Sequence, residues 1–435
     1  MRQNISLPLS SLFPYYTHLL LSNGASQPLT LANMDPSHTI PALQLVHWYT
    51  GHPMVSHLPP PPLSKVRHLT LIGHGNVSLD IARLLLADPS SLSHLDIPAP
   101  VIEELHKSTI EHINIVSRRG PAQVAFTAKE LRELLSLPKA SMEPIPSELF
   151  FSSTLAPEPF SAIARADRDS KPAPTSTPGL TRQQTRILDL LKRGSKTDYG
   201  TTSKTFSFQF FRTPYASSSS SKTITYNLNE LDVDGKARWT GGQEAQSTDL
   251  VVPSLGYRSD PFYPSPTIGS TLSDTKEGKV DGWYDSTLGR VRNISGRVHT
   301  IIPSSSSKKV QIGHMKNVYA SGWAANGAKG VLASTMYDAY AVSDLLVNDH
   351  LSSDDTLAEE SSTPSLSLLE GNQDFAIESG SGLPAFLKDA SSKAGNRVVS
   401  YPEWKKIDEE ERRRGQQADK EKERMTWDQV NTFLS

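Results

Sequence analysis

Gly73-His74-Gly75-Asn76-Val77-Ser78 restricts the fold of this chain more than any other run of residues. It fits G-x-G-x-x-[G/A], with Ser in the third place. Such a match means little alone, but here the context fits. Val66–Ile72 (VRHLTLI) reads as a buried strand that stops at Gly73. A helix opens at Asn76, with Val77, Leu79, Ile81, Ala82, Leu84 and Leu85 on its apolar side. Gly73 permits a tight turn, Gly75 lets the backbone approach a pyrophosphate, and the small Ser78 lets helix and strand pack closely. The helix N-terminus then offers free N–H groups to the anion. The competing reading is an ordinary turn with two glycines. The next strand, His112–Val116, decides against it. Where NAD-specific folds place an acid for the ribose 2′-OH, this chain carries Arg118 and Arg119. Two guanidiniums there suit the 2′-phosphate of NADP. The alternative is a solvated basic turn. A second match, Gly380–Ala385, follows acidic, Ser-rich sequence rather than a strand and is rejected.

The rest of the chain alternates strands with helices, which argues α/β with largely parallel sheets. Tyr16–Ser22, Leu250–Leu255 and Val318–Ser321 read as buried strands, Thr223–Asn229 as an antiparallel strand, and Thr127–Leu135 and Val331–Val347 as helices. Glu409–Arg424 is a mixed-sign run expected as a solvated helix or linker. The 435 residues allow about three domain-equivalents. The stretches Ser152–Pro178, Ser217–Ser221, Ser304–Lys309 and Ser352–Ser367 read as solvated insertions. Cysteine is absent, which excludes disulfides, Cys-ligated metal and thiol chemistry. Any redox reaction must use a bound organic cofactor or a metal on N or O ligands, and no metal site is expected. The net charge of −2 gives no argument for nucleic acid. No apolar run reaches the roughly 18 residues of a bilayer span. No transit peptide is visible in the chain.

The fingerprint through Arg83, followed by Arg118-Arg119-Gly120-Pro121-Ala122-Gln123-Val124-Ala125-Phe126-Thr127-Ala128-Lys129-Glu130-Leu131-Arg132-Glu133, closely resembles the mitochondrial NADPH:adrenodoxin (ferredoxin) reductase family. Trp48–Pro53, Phe210–Pro214, Leu255–Ser259, Ser321-Gly322-Trp323 with Gly327 and Gly330-Val331, and Tyr401–Asp408 with Arg414-Gly415-Gln416 carry the resemblance further. His74 stands where Gln is usual, Ser117 where Gly is usual, and Ala328-Lys329 where Pro-Thr is usual.

The resemblance implies two Rossmann-like (glutathione-reductase-like) domains, the NADP domain inserted into the FAD domain. Residues 1–27 would be a remnant of the FAD domain, 28–260 the NADP domain, and 261–435 the return of the FAD domain with a charged tail. The family's upstream Gly-rich βαβ unit has no match here, so a FAD domain shortened at its N-terminus is expected, with FAD bound weakly or not at all. The implied activity passes electrons from NADPH through FAD to a 2Fe–2S ferredoxin of the adrenodoxin type. His74, Gly75, Asn76 and Val77 would hold the pyrophosphate, Arg118 and Arg119 the 2′-phosphate, and Glu130 would touch NADP. Trp323, Gly330, Val331 and Leu332 would contact FAD, with Gly330 also near the nicotinamide. Chemistry belongs to the flavin, so no catalytic side chain is assigned; Asp80 is the one candidate, against a helix-stabilising role. Arg132, Arg182 and Arg186 would meet an acidic ferredoxin, or form a solvated basic face. The implied location is the mitochondrion, in the matrix or peripheral at the inner membrane. The alternative is an NADP-binding remnant without FAD or reductase activity. A third reading, a glutamate-synthase-like electron-input subunit, fits poorly with the lack of cysteine.

Overall fold

The structure, a computed structural model, describes residues 9–52, 55–152, 180–261, 282–303, 310–330, 332–351, 365–367, 369 and 399–435. It is α/β and divides into two compact units, Pro28–Leu255 with Lys405–Ser435, and Met1–Gln27 with Gly256–Trp404.

The first unit is built on a parallel five-stranded sheet. Its order is Leu250–Pro253, His68–Ile72, His112–Val116, Lys204–Gln209, Ala140–Met142. Central strands of such a sheet are covered on both faces, so they read as apolar runs rather than alternations. Leu69, Leu71, Ile113, Ile115 and Phe206 are buried accordingly. Several of the polar side chains inside pair with each other. Thr70 donates to Thr248 at 3.0 Å, and Asn114 Oδ1 accepts from Ser207 and Gln209, each at 2.9 Å. Helix Asn76–Leu86 packs Leu79, Ile81, Ala82, Leu85 and Leu86 inward at helical spacing. A three-stranded antiparallel sheet follows, Arg212–Ser218, Thr223–Leu231 and Ala237–Ser247.

The second unit holds a mixed sheet. Leu19–Leu21 runs parallel to Val318–Ala320, and Val310–Ala320 pairs antiparallel with Arg297–Pro303. Helix Leu332–Leu351 lies beside it.

Two expectations change. Ser217–Ser221 is not a loose insertion but the end of a strand and its hairpin turn. Asp35 orders it, accepting from Ser219 N at 2.9 Å and Ser219 Oγ at 2.6 Å. The tail was grouped with the returning domain, yet Lys405–Ser435 packs with the fingerprint unit. Charge pairing explains this: Arg424 binds Asp96 at 2.7 Å, Lys420 donates to the Ile97 carbonyl at 2.8 Å, and Glu423 accepts from Ala99 N at 3.1 Å. The remaining Ser-rich stretches and Gly380–Ala385 lie mainly outside the described residues.

Candidate functional site

The fingerprint sits at the C-terminal ends of the parallel strands, where chain order reverses between His68–Ile72 and its two neighbours. Open α/β sheets bind ligands at such points. Gly73 has φ +126°, and a Cβ there would lie 2.2 Å from the Ser254 carbonyl oxygen. No other residue fits that turn. Its N–H donates to Val116 O at 2.8 Å, while Ser254 N donates to Ile72 O at 2.8 Å. Above Gly75, an added Cβ would meet nothing within 4 Å, so the backbone is open to a close approach. Helix Asn76–Leu86 has no side-chain cap. Its first N–H groups, Asn76, Val77 and Ser78, therefore face the opening as an anion cradle.

His74 differs from expectation. Its ring is buried in a cage of Phe126, Phe208 and Phe210, with centroids 6.0, 5.5 and 5.0 Å away. Nε2 bonds the Ile115 carbonyl at 2.8 Å, and Nδ1 has no partner. Burial lowers its pKa to about 4, with the Ile115 bond opposing. Only the His74 backbone is left to serve the cradle, and its carbonyl accepts from Ala125 N at 2.8 Å. Asn76 Oδ1 likewise accepts from Thr127 N at 2.8 Å. These bonds hold helix Ala128–Leu135, capped by Thr127, next to the fingerprint helix. Glu130 stands in that helix's first turn, and its buried Oε2 has no protein partner. An orphaned buried acceptor next to the cradle suits a ligand hydroxyl or amide.

Asp80 is half-buried and pairs with Arg83 at 3.0 Å. Burial raises its pKa, Arg83 opposes, and Glu130 adds to the rise. Arg83 also pairs with Glu133 on the neighbouring helix. This network joins the two helices. Arg118 is exposed and forms no ion pair among the described residues. Its turn leaves the strand beside Gly73, because Ile72 and Val116 are in register. Arg132, Arg182 and Arg186 lie on two helices that pack together and form no ion pairs among the described residues; Arg182 and Arg186 are exposed.

In the second unit, Gly24, Ser321, Trp323, Gly330, Leu332 and Thr335 line a cavity of about 510 Å³. Trp323 stacks on Tyr257, centroids 6.3 Å apart at 16°. Gly330 has φ +88°, and a Cβ there would lie 2.3 Å from Ser334 Oγ. Val331 is outside the described residues. Asp338 was missed in sequence. It accepts from Ser321 Oγ at 2.9 Å, Gly322 N at 2.5 Å and Asn326 Nδ2 at 2.9 Å, and so fixes the turn that presents Trp323. No motif flags an acid one turn inside a helix. Among the described residues there is no cluster of metal ligands, and no helix is long and apolar enough to cross a membrane.

No family model matches the chain. The mitochondrial NADPH:adrenodoxin oxidoreductase of Drosophila melanogaster is 29% identical over 430 residues, covering 97% of this chain and 76% of the relative. The Bos taurus protein of the same name is 29% identical, covering 94% and 72%. Among solved structures, Mycobacterium tuberculosis FprA in complex with NADPH superposes with a TM-score of 0.71 at 24% identity, covering 98% of this chain and 81% of that one. That likeness establishes the fold. The sequence matches, which run almost end to end along this chain, make it a homologue of the mitochondrial NADPH:adrenodoxin oxidoreductases, shorter than they are.

Proposed function

We propose that the chain is an NADPH-dependent flavoprotein reductase that delivers electrons to a ferredoxin of the 2Fe–2S type. The observation that carries this is the pairing of an uncapped helix N-terminus at Gly75–Ser78 with the Arg118–Arg119 turn on the adjacent strand end. The first suits a pyrophosphate and the second a 2′-phosphate. The relatives named NADPH:adrenodoxin oxidoreductase support the same reading. FAD supplies the step from a two-electron donor to a one-electron acceptor. On this reading Trp323, Gly330 and Leu332 line one side of its site, with Asp338 holding the turn. Glu130 accepts a hydrogen bond from NADPH, which would satisfy its orphaned oxygen. Arg132, Arg182 and Arg186 offer unpaired charge to an acidic partner. The domain roles follow: residues 28–255 bind NADPH, and residues 1–27 with 256–404 hold the flavin. The mitochondrial relatives support a mitochondrial location.

The test is cofactor choice. Arg118→Ala with Arg119→Ala should cost about 1.5–3 kcal/mol per lost charged hydrogen bond to the 2′-phosphate. Affinity for NADPH should fall to that for NADH, read by titration of the purified chain. Equal affinities before mutation would refute the assignment.

A further inference from the structure

We infer that Asn229 is a positioning residue for NADP selectivity, holding the Arg118–Arg119 turn from a separate sheet. The inference rests on the proposed 2′-phosphate role of those arginines. The turn has little internal structure of its own. Of its three carbonyls, each is taken from outside or by the one side chain that can reach. Ser117 O accepts from Arg212 N at 2.9 Å, and Arg119 O accepts from Phe211 N at 3.3 Å and Ser117 Oγ at 2.8 Å. The Arg118 carbonyl accepts from Asn229 Nδ2 at 3.1 Å, across 111 residues of sequence. Among the described residues no other bond to that carbonyl is formed.

Asn229 is itself fixed. Its second amide hydrogen goes to Thr213 Oγ1 at 2.8 Å. A carboxamide has two donors, and both are used. A carbonyl only accepts, so it is the amide nitrogen that faces Arg118. The Asn229 backbone N–H donates to Phe211 O at 2.8 Å, and Phe211 has φ +57°, an uncommon conformation for a residue with a side chain. The register shift after Asn227, opposite the left-handed Gly241, sets where Asn229 falls along its strand. One residue thus ties the bend at Phe211 to the backbone of Arg118. Among the described residues the Arg118 guanidinium has no ion-pair partner, and Asn229 is the one restraint on the carbonyl of the backbone that aims it. Holding a functional group within a fraction of an ångström depends on such supporting contacts.

The experiment uses the full chain and two ligands that differ only in the reading group, adenosine 2′,5′-bisphosphate and 5′-AMP. Asn229→Asp keeps the shape but removes both donors. Asn229→Ala removes them without placing a charge beside Arg118. Each should weaken the bisphosphate about five- to tenfold, the worth of a single hydrogen bond, and leave 5′-AMP unchanged. A general structural defect would weaken both ligands alike. If the unmodified chain prefers the bisphosphate and both variants keep that preference, or lose both ligands equally, the role of Asn229 is overturned while Arg118 and Arg119 stand. If the unmodified chain shows no preference, the reading of the arginines themselves has failed. Should Asn229→Asp not fold, Asn229→Ala decides alone.

Discussion

Helices Arg182–Arg193 and Leu332–Leu351 are both held firmly, by opposite means. The first buries Ile187, Leu188, Leu190 and Leu191 against the parallel-sheet unit. Thr181 and Gln184 cap it reciprocally, and Gly194 ends it at φ +77°. The second is far more apolar along its length, yet Val342 is its single buried side chain among those described. Leu332, Tyr337 and Tyr340 are 88%, 69% and 62% exposed. What holds it is a stripe at Asp338, Val342, Leu345 and Asp349, spaced four, three and four residues apart, which is one helix face. Asp338 binds the Ser321–Gly322 turn, Val342 and Leu345 close on Gly296, and Asp349 pairs with Arg297 at 2.5 Å and Tyr319 at 3.0 Å. The comparison teaches that apolar content does not tell where a helix is anchored. In one unit burial does the anchoring, in the other two carboxylates do.

Truncation in the two units should break the comparison most visibly. Leu71→Ala, in the centre of the parallel sheet and fully buried, should cost about 2–5 kcal/mol. Tyr337→Ser or Leu332→Ser should change stability by less than about 0.5 kcal/mol. Both exposed changes should raise solubility, because they shrink an apolar patch. Urea unfolding of the full chain, with solubility limits measured alongside, reads each. A loss of more than about 2 kcal/mol for Tyr337→Ser would mean that the helix is covered in solution.

His74 sharpens the same contrast through pH. Its pKa is about 4 in the folded chain against 6.5 in the unfolded one, because burial disfavours the cation. Between those values the unfolded chain binds the extra proton, so stability rises with pH across that window. It is lost as pH falls below 6.5 and the loss is complete near pH 4. The loss is about 3 kcal/mol. His74→Gln should flatten that limb, and thermal melts from pH 7 to pH 4 would show it. An unchanged acid limb would place the imidazole in contact with water.

What could be read from sequence follows the same division. The strand, the glycine turn and the amphipathic helix at 68–86 are legible because local chemistry and tertiary packing demand the same residues there. Arg118 and Arg119 are legible because their place at a strand end is fixed by counting. His74 is not, since nothing local says whether the second residue of the turn points to ligand or core; the cage of Phe126, Phe208 and Phe210 comes from distant segments. Asn229 and Asp338 act through long-range bonds and leave no local pattern. The place of the tail leaves no local pattern either: a charged run reads as solvated, and its partners Asp96 and Ile97 lie more than 300 residues away.

The polar anchoring of the second unit can be tested separately. Asp349 lies lower in pKa than an ordinary carboxylate: burial works against the charge, but the Arg297 and Tyr319 hydrogen bonds outweigh it. Its contribution is present above the unfolded pKa and fades as pH falls through the folded one. Asp349→Asn should cost about 1.5–3 kcal/mol, the range for hydrogen bonds to a charged group, less what solvent screens. Hydrogen exchange should quicken across Leu332–Leu351 and stay slow in the strands of the parallel sheet. Equal protection before and after would mean that Asp338, Val342 and Leu345 hold the helix without Asp349.

The smallest effect on stability should come from Arg186, and there the comparison turns to function. Arg186 is exposed, four residues from Arg182 on a helix anchored mainly by its opposite, apolar face. Neither arginine is needed to hold that helix in place, so Arg186→Glu should alter stability by less than about 0.5 kcal/mol. It should leave NADPH affinity unchanged, since the cradle lies at the strand ends and uses other residues. If the two arginines and Arg132 meet an acidic 2Fe–2S ferredoxin, reversing one charge should slow association, and the slowing should shrink as salt rises, because exposed charges are screened over about 8 Å at physiological ionic strength. Stopped-flow mixing with a ferredoxin at several salt concentrations measures both. An association rate indifferent to salt and to Arg186→Glu would leave these arginines as a solvated face, and the partner would have to dock elsewhere.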